Sequence, residues 1–180
     1  MLAEDNLFGD TMKAPYKTDK TGEAILDILH LNAKIAAADI AKQLNISEAE
    51  VASYIDRFEK DKIILDYKTL INWQRVRQDN VHALIEVKVT PERDVGFDSV
   101  AEAIYKFPEV TSMSLLSGGY DLLVQVEGDS LQDVAGFVSA KLATIKGVQS
   151  TVSHFILKKY KEDGVIFSEE TGGKRLPVTP

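Results

Sequence analysis

An α+β chain of two domains is predicted, an N-terminal winged helix-turn-helix unit followed by a β-α-β-β-α-β sheet domain. Three observations predict it. Helical periodicity runs from about Asp19 to Asp61, a two-residue apolar alternation first appears at Val81, and strand-like and helix-like stretches then alternate to about Phe167. The 180 residues are enough for two small cores. The expected divisions are an N-terminal arm over 1–18, a helix-turn-helix unit with a β wing over 19–72, a linker over 73–80, the sheet domain over 81–167 and a flexible tail over 168–180.

In the first unit, "EAILDILHLNAK" places Ile25, Ile28, Leu29 and Asn32 at helical spacing, with Asn32 as its end. "AADIAKQL" is a short second helix, with Ile40 and Leu44 four apart, and only Asn45-Ile46-Ser47 separates it from a third. Ser47 and Glu50 form an S-x-x-E capping box, in which each side chain is expected to cap the other's backbone N–H. Ile46 and Val51 supply the accompanying hydrophobic staple, and Val51, Ile55 and Phe58 make an apolar stripe with Tyr54 beside it. A tight turn between a short helix and a well-capped one describes a helix-turn-helix. "IILDYKTLI" is β-prone and is expected to form the wing, and Tyr67 and Trp73, at the linker, are expected to serve subunit packing.

In the second unit, "VHALIEVKVT" puts Val81, Ala83, Ile85, Val87 and Val89 on one face of a strand. "FDSVAEAIYKF" returns to helical spacing, Pro108-Glu109 breaks it, and "VTSMSLL" and "DLLVQVEG" flank a Gly-Gly turn as a hairpin. "SLQDVAGFVSAKLATI" opens on Ser130 as N-cap, and "VQSTVSHFILKKY" reads as one long final strand. This order is the ferredoxin-like βαββαβ plan, a four-stranded antiparallel sheet with two helices on one face.

Composition narrows the chemistry. The net charge is −7; 9 basic and 13 acidic residues before Asn72 leave −4, and 12 and 15 from there on leave −3, so neither half is a generic polyanion binder. There is no cysteine, hence no disulfide, thiolate nucleophile or Cys-based metal site. His30, His82 and His154 stand apart at no ligand spacing, so no metal is expected, and no glycine-rich nucleotide loop or catalytic set indicates a cofactor or an enzyme. No apolar run approaches the ~18 residues of a membrane span, and the start "MLAEDNLFGDTMK" is not a secretory signal, which fits a cytoplasmic protein.

The stretches "ILDILHLNAKIAAADIAKQLNISEAEVASYIDRFEKDKII", "FPEVTSMSLLSGGYDLLVQVEG" and "GVQSTVSHFILKKYKEDG" resemble the Lrp/AsnC, or feast/famine, family of transcription regulators, over roughly Asp19 to Phe167. The resemblance implies DNA binding by the first unit. It also implies dimers formed through the sheet, often stacked into octamers, and a small effector, usually an amino acid, held at an interface near the glycine hairpin. Two departures are visible: Ala36 stands where the second helix commonly has a Ser or Thr cap. The third helix carries Glu48, Glu50, Asp56, Glu59 and Asp61 against Arg57, Lys60 and Lys62.

Candidate DNA-contacting residues lie on the side of the third helix away from its apolar stripe. Beside the Ser47 cap, small Ala49 and Ala52 permit close approach, Ser53 donates or accepts in a groove, Arg57 suits guanine or phosphate, and Glu48 can accept only from cytosine N4. Lys42, Lys60, Lys62 and Lys68 are the expected phosphate contacts. So acidic a helix should bind with a shallow salt dependence, and several units acting together would supply affinity by avidity. In "LSGGYD", the N–H groups of Ser117, Gly118, Gly119 and Tyr120 suit a carboxylate and Asp121 an α-ammonium, with the hydroxyls of Thr151 and Ser153 completing the site. The glycines are equally what a tight hairpin turn requires. Two rival readings compete with a metabolite-sensing DNA-binding regulator. One is a regulator-shaped effector- or partner-binding protein that has lost DNA binding. The other is an enzyme like the sirohaem decarboxylases, which share this architecture. Their polycarboxylate macrocycle asks for pocket arginines, and Arg75, Arg77, Arg93 and Arg175 all fall in expected linker, loop or tail.

Overall fold

The computed structural model describes residues 16–76, 80–91 and 96–167. Most of the expected arm, linker positions 77–79 and the expected tail lie outside these residues. The chain divides into two compact units between Ile71 and Asn72.

The first unit is three helices. Helix α1, Lys20–Leu31, starts at Asp19, whose side chain accepts the Gly22 N–H, and its burial of Ile25 and Leu29 follows the helical spacing. Helix α2, Ala37–Leu44, has no side-chain cap, as Ala36 has nothing to offer. The turn works because Asn45 takes the left-handed conformation (φ 54°, ψ 46°), which Asn tolerates better than most residues. Helix α3, Glu48–Lys60, starts at Ser47 and buries Val51 and Phe58. Ile25, Leu29, Ile40, Ala41, Val51 and Phe58 form the core, with Ile46 and Ile55 packed against it.

Two expectations fail here. Only the Ser47 half of the capping box forms: Ser47 Oγ accepts the Glu50 N–H at 3.1 Å, and the Glu50 carboxylate makes no return bond among the described residues. Ser47→Ala should therefore cost about 1 kcal/mol in a thermal melt of this unit, while Glu50→Gln should shift it by less than about 0.5 kcal/mol. The wing strand is also absent. After α3 the chain reverses through Lys62 (φ 58°), Ile63 and Ile64 donate to the Phe58 carbonyl at 2.8 and 3.1 Å, and 65–71 carries no ladder. β-prone residues become a strand only beside a partner strand, and none of the described residues of this unit provides one.

The second unit is the ferredoxin-like plan. Its strands are β1 (Val81–Val89), β2 (Val110–Leu115), β3 (Leu122–Gly128) and β4 (Val148–Phe155), and its helices are α4 (Asp98–Tyr105) and α5 (Leu131–Ala140). The antiparallel sheet has the spatial order β2-β3-β1-β4. Alternate β1 residues Ala83, Ile85, Val87 and Val89 are buried with Val124, Val126, Val100, Ile104, Val134 and Phe137. That alternation leaves Leu84, Glu86 and Lys88 on the face away from the helices. The final strand is shorter than its composition suggested. Pairing with β1 stops at Phe155, and a separate hairpin, β5 (Lys161–Glu162) with β6 (Val165–Ile166), turns on Asp163 and Gly164, both at positive φ. An Asp-Gly turn of this kind is a strong short-range hairpin signature, and residues 156–160 separate this hairpin from β4.

Candidate nucleic-acid interface and effector loop

On α3, Glu48, Ala49, Ala52, Ser53, Asp56, Arg57 and Lys60 are all exposed along the side opposite Val51 and Phe58, and Ser47 is exposed at its start. The expected DNA-facing residues thus share one surface of one helix. Lys42, on α2, pairs with Asp39 at 3.0 Å; both are well exposed, and such a pair is weak enough to yield Lys42 to a phosphate. The Arg57 guanidinium lies over the Tyr54 ring, 4.7 Å from its centroid. Glu50, free of the capping box, keeps its charge on the surface, so the start of α3 is more acidic than the box implied.

Three tyrosines meet the surrounding carboxylates, a feature the sequence reading missed. Tyr16 donates to Asp61 at 2.9 Å, Tyr67 to Glu59 at 2.9 Å, and Tyr54 to Asp19 at 2.6 Å. Two of the acids at the end of α3 are therefore occupied by phenols rather than bare. The Tyr54 bond and the Gly22 N–H hold the Asp19 carboxyl below its ordinary range. Residues 16–18, assigned to the arm, are tied to the unit through Tyr16, whose ring meets Phe58 edge-on at 6.1 Å. Tyr67, expected to serve subunit packing, makes this contact with Glu59 within its own unit and stays partly exposed.

Partial burial, and then the Glu59 bond, push the Tyr67 phenol up to about 12. The raised folded value means that this contact contributes stability below the ordinary phenol pKa near 10, lost as pH climbs towards about 12. Tyr67 is 44% exposed, so the contribution is small. Alkaline unfolding curves of wild type and Tyr67→Phe should converge above pH ~12 and differ below it, with the wild type the more stable.

In the second unit, the Leu116 N–H donates to the Asp121 carbonyl at 2.8 Å and closes the turn between β2 and β3. Ser117, Gly118 and Gly119 are exposed and Tyr120 half-buried. Gly118 has φ +155°, a conformation that side chains resist, and open space lies where its Cβ would be. None of the N–H groups of Ser117 to Tyr120 has a partner among the described residues. Asp121 is not the open ammonium acceptor the spacing suggested: its carboxylate accepts the Val89 N–H at 2.8 Å and Lys88 Nζ at 3.2 Å.

The expected effector residues are not all brought together. Thr151 and Ser153 pair with Val87 and Ile85, so they share the helix-side face of the sheet, while Lys88, beside Asp121, points to the other face. Residues on one strand alternate faces, and sequence spacing alone did not show which parity the neighbouring strand would match. The face away from the helices also carries a His154–Glu86 contact at 3.1 Å. Among the described residues no cluster of His, Asp or Glu has a metal-holding arrangement, and no helix is long and apolar enough to cross a membrane.

Two family models match the two units. The winged helix-turn-helix DNA-binding model covers residues 18–64, and the Lrp/AsnC ligand-binding domain model covers 82–166. The HTH-type transcriptional regulator YugG of Bacillus subtilis is 51% identical over 164 residues, spanning 91% of this chain and 98% of that protein. A transcriptional regulator of Neisseria meningitidis, solved as a complex with L-methionine, is 27% identical with a TM-score of 0.66, covering 81% of this chain and 94% of that one. AsnC of Escherichia coli shares the fold, with a TM-score of 0.65 at 23% identity, over 82% of this chain and 97% of that one. These matches are to regulators and leave the enzyme reading without support. A capped helix-turn-helix, a β2-β3-β1-β4 sheet and these likenesses place the chain in one group: it belongs to the Lrp/AsnC family of helix-turn-helix transcription regulators.

Proposed function

We propose that this regulator is a cytoplasmic homo-oligomer that reads duplex DNA through α3 and is switched by an amino acid held at the Ser117–Asp121 loop. The observation that carries the effector reading is the row of unpartnered N–H groups from Ser117 to Tyr120 on an exposed glycine turn, with Lys88 beside it. Unpartnered backbone N–H groups beside a cation suit a carboxylate. The L-methionine complex of the Neisseria relative supports an amino acid as the carboxylate's bearer. Since Thr151 and Ser153 face the other side of the sheet, a second copy of the chain completes the site. The homodimer is the minimum assembly, with octamers as the further step, and exposed Val152, Leu157 and Tyr160 provide apolar surface for association.

DNA binding by an oligomer follows from the surface of α3. With Glu48, Glu50 and Asp56 exposed beside Ser53 and Arg57, one helix makes few phosphate contacts, and joining several supplies affinity. The same acids are what favours the partner-binding alternative. A thermal-shift panel of the amino acids, L-methionine first, tests the effector reading, with light scattering recording oligomer size. A subset that raises Tm in proportion to the logarithm of its concentration is the expected result. No shift with any amino acid overturns it.

A further inference from the structure

Tyr54 and Arg57 are three residues apart on α3, so they lie on one face of the helix. The guanidinium carbon stands 4.7 Å from the Tyr54 ring centroid and 5.6 Å from that of Phe58. The Tyr54 hydroxyl donates to Asp19 Oδ2 at 2.6 Å, while Oδ1 of the same carboxylate caps α1 by accepting the Gly22 N–H at 2.8 Å. The ring is held from below as well. A Cβ on Gly22 would collide with Thr18 Oγ1 and come within 3.0 Å of Phe58 Cζ and 3.2 Å of Tyr54 Cε1, so the glycine lets the chain before α1 and these rings close against it. Arg57 is exposed and forms no close ion pair among the described residues, so its N–H donors are not taken up by a carboxylate of its own unit. A long side chain already ordered over a fixed ring loses less conformational freedom when it binds.

We propose that Tyr54 is the positioning residue of a DNA-contacting Arg57, with Asp19 and Gly22 locking the ring beneath the guanidinium. This rests on the reading of α3 as the DNA-contacting helix. Attraction between the guanidinium charge and the ring at an exposed cation–π contact corresponds to about a two- to fivefold effect on affinity. The effect belongs to the pair, since Tyr54 itself need not touch DNA.

Binding of the full-length protein to a labelled random-sequence duplex pool at about 50 mM salt is the readout. The variants are Arg57→Ala, Tyr54→Leu, Tyr54→Phe and the Arg57→Ala/Tyr54→Leu double, each checked for folding by its thermal melt. Arg57→Ala should weaken binding. Tyr54→Leu should weaken it about two- to fivefold in the wild-type background and not at all in Arg57→Ala. Tyr54→Phe, which keeps the ring, should restore most of the loss. The inference is overturned if Arg57→Ala weakens binding while Tyr54→Leu does not, if the two losses simply multiply, or if Tyr54→Phe loses as much as Tyr54→Leu. Failure of the wild type to bind, or full binding by Arg57→Ala, instead overturns the DNA-contact reading on which it rests.

Discussion

Phe58→Ala is expected to destabilise the helix-turn-helix unit by about 3–5 kcal/mol and to abolish DNA binding, while the sheet unit stays folded. Phe58 is fully buried. Its ring meets Tyr16 edge-on at 6.1 Å and Tyr54 at 6.0 Å, and its carbonyl receives the Ile63 and Ile64 N–H groups that end the helix. Removing the ring leaves a cavity at the point where all three helices and the returning chain converge. Among the described residues this unit's core cluster is six buried hydrophobic residues, so it has little stability to spare, because the fraction of surface buried falls as a domain gets smaller. The sheet unit's core is a separate cluster around Ile85, Val124 and Phe137, so nothing of it is removed. Circular dichroism during heating should show a low first transition in the variant and an unchanged second one. A single transition shifted as a whole would contradict this separation of cores.

The second large effect is expected at Asp121. Its side chain is 17% exposed, and its carboxylate takes the place of a ladder partner for the Val89 N–H while pairing with Lys88. Asp121→Ala leaves a backbone donor at the end of β1 unsatisfied, which costs about 1–3 kcal/mol. It also frees the loop whose N–H groups form the proposed carboxylate cradle, so the thermal shift produced by an amino acid should disappear. Asp121→Asn keeps an oxygen for Val89 but loses the charge opposite Lys88. Stability near wild type is therefore expected from it, with the ligand response kept, since Lys88 is then free for the carboxylate. Urea denaturation separates the two, and a full ligand response in Asp121→Ala would remove the loop from the effector site.

Much of this was legible in the chain itself, and the failures have identifiable causes. The three helices of the first unit and the β1 face of Ala83, Ile85, Val87 and Val89 followed from periodicity, because burial on one face imposes a period, and the caps at Ser47 of α3 and Ser130 of α5 followed from residue type. The exposed surface of α3 followed for the same reason. The winged helix-turn-helix class stands, but residues 63–71 carry no strand among the described residues, because composition shows strand propensity and not whether a partner strand is present. The end of β4 was missed because a β-prone run continued through Leu157 to the Asp163-Gly164 turn. At the effector loop the glycine turn was visible, but the capture of Asp121 by Val89 and Lys88 depends on the β1–β3 register, whose ladder ends at Val87 and Leu122 and leaves the Val89 N–H to the Asp121 side chain. The tyrosine–carboxylate contacts span up to 45 residues, a separation at which no local pattern is informative.

Whether an acidic α3 still reads DNA is decided by selection from random duplex DNA, at about 50 mM and at physiological salt, on wild type and Arg57→Ala. A palindromic motif recovered by wild type, lost with Arg57→Ala and falling only shallowly with salt, is the predicted result. No motif at either salt, with and without amino acids present, would contradict DNA reading by α3 and favour a regulator-shaped protein that binds partners instead.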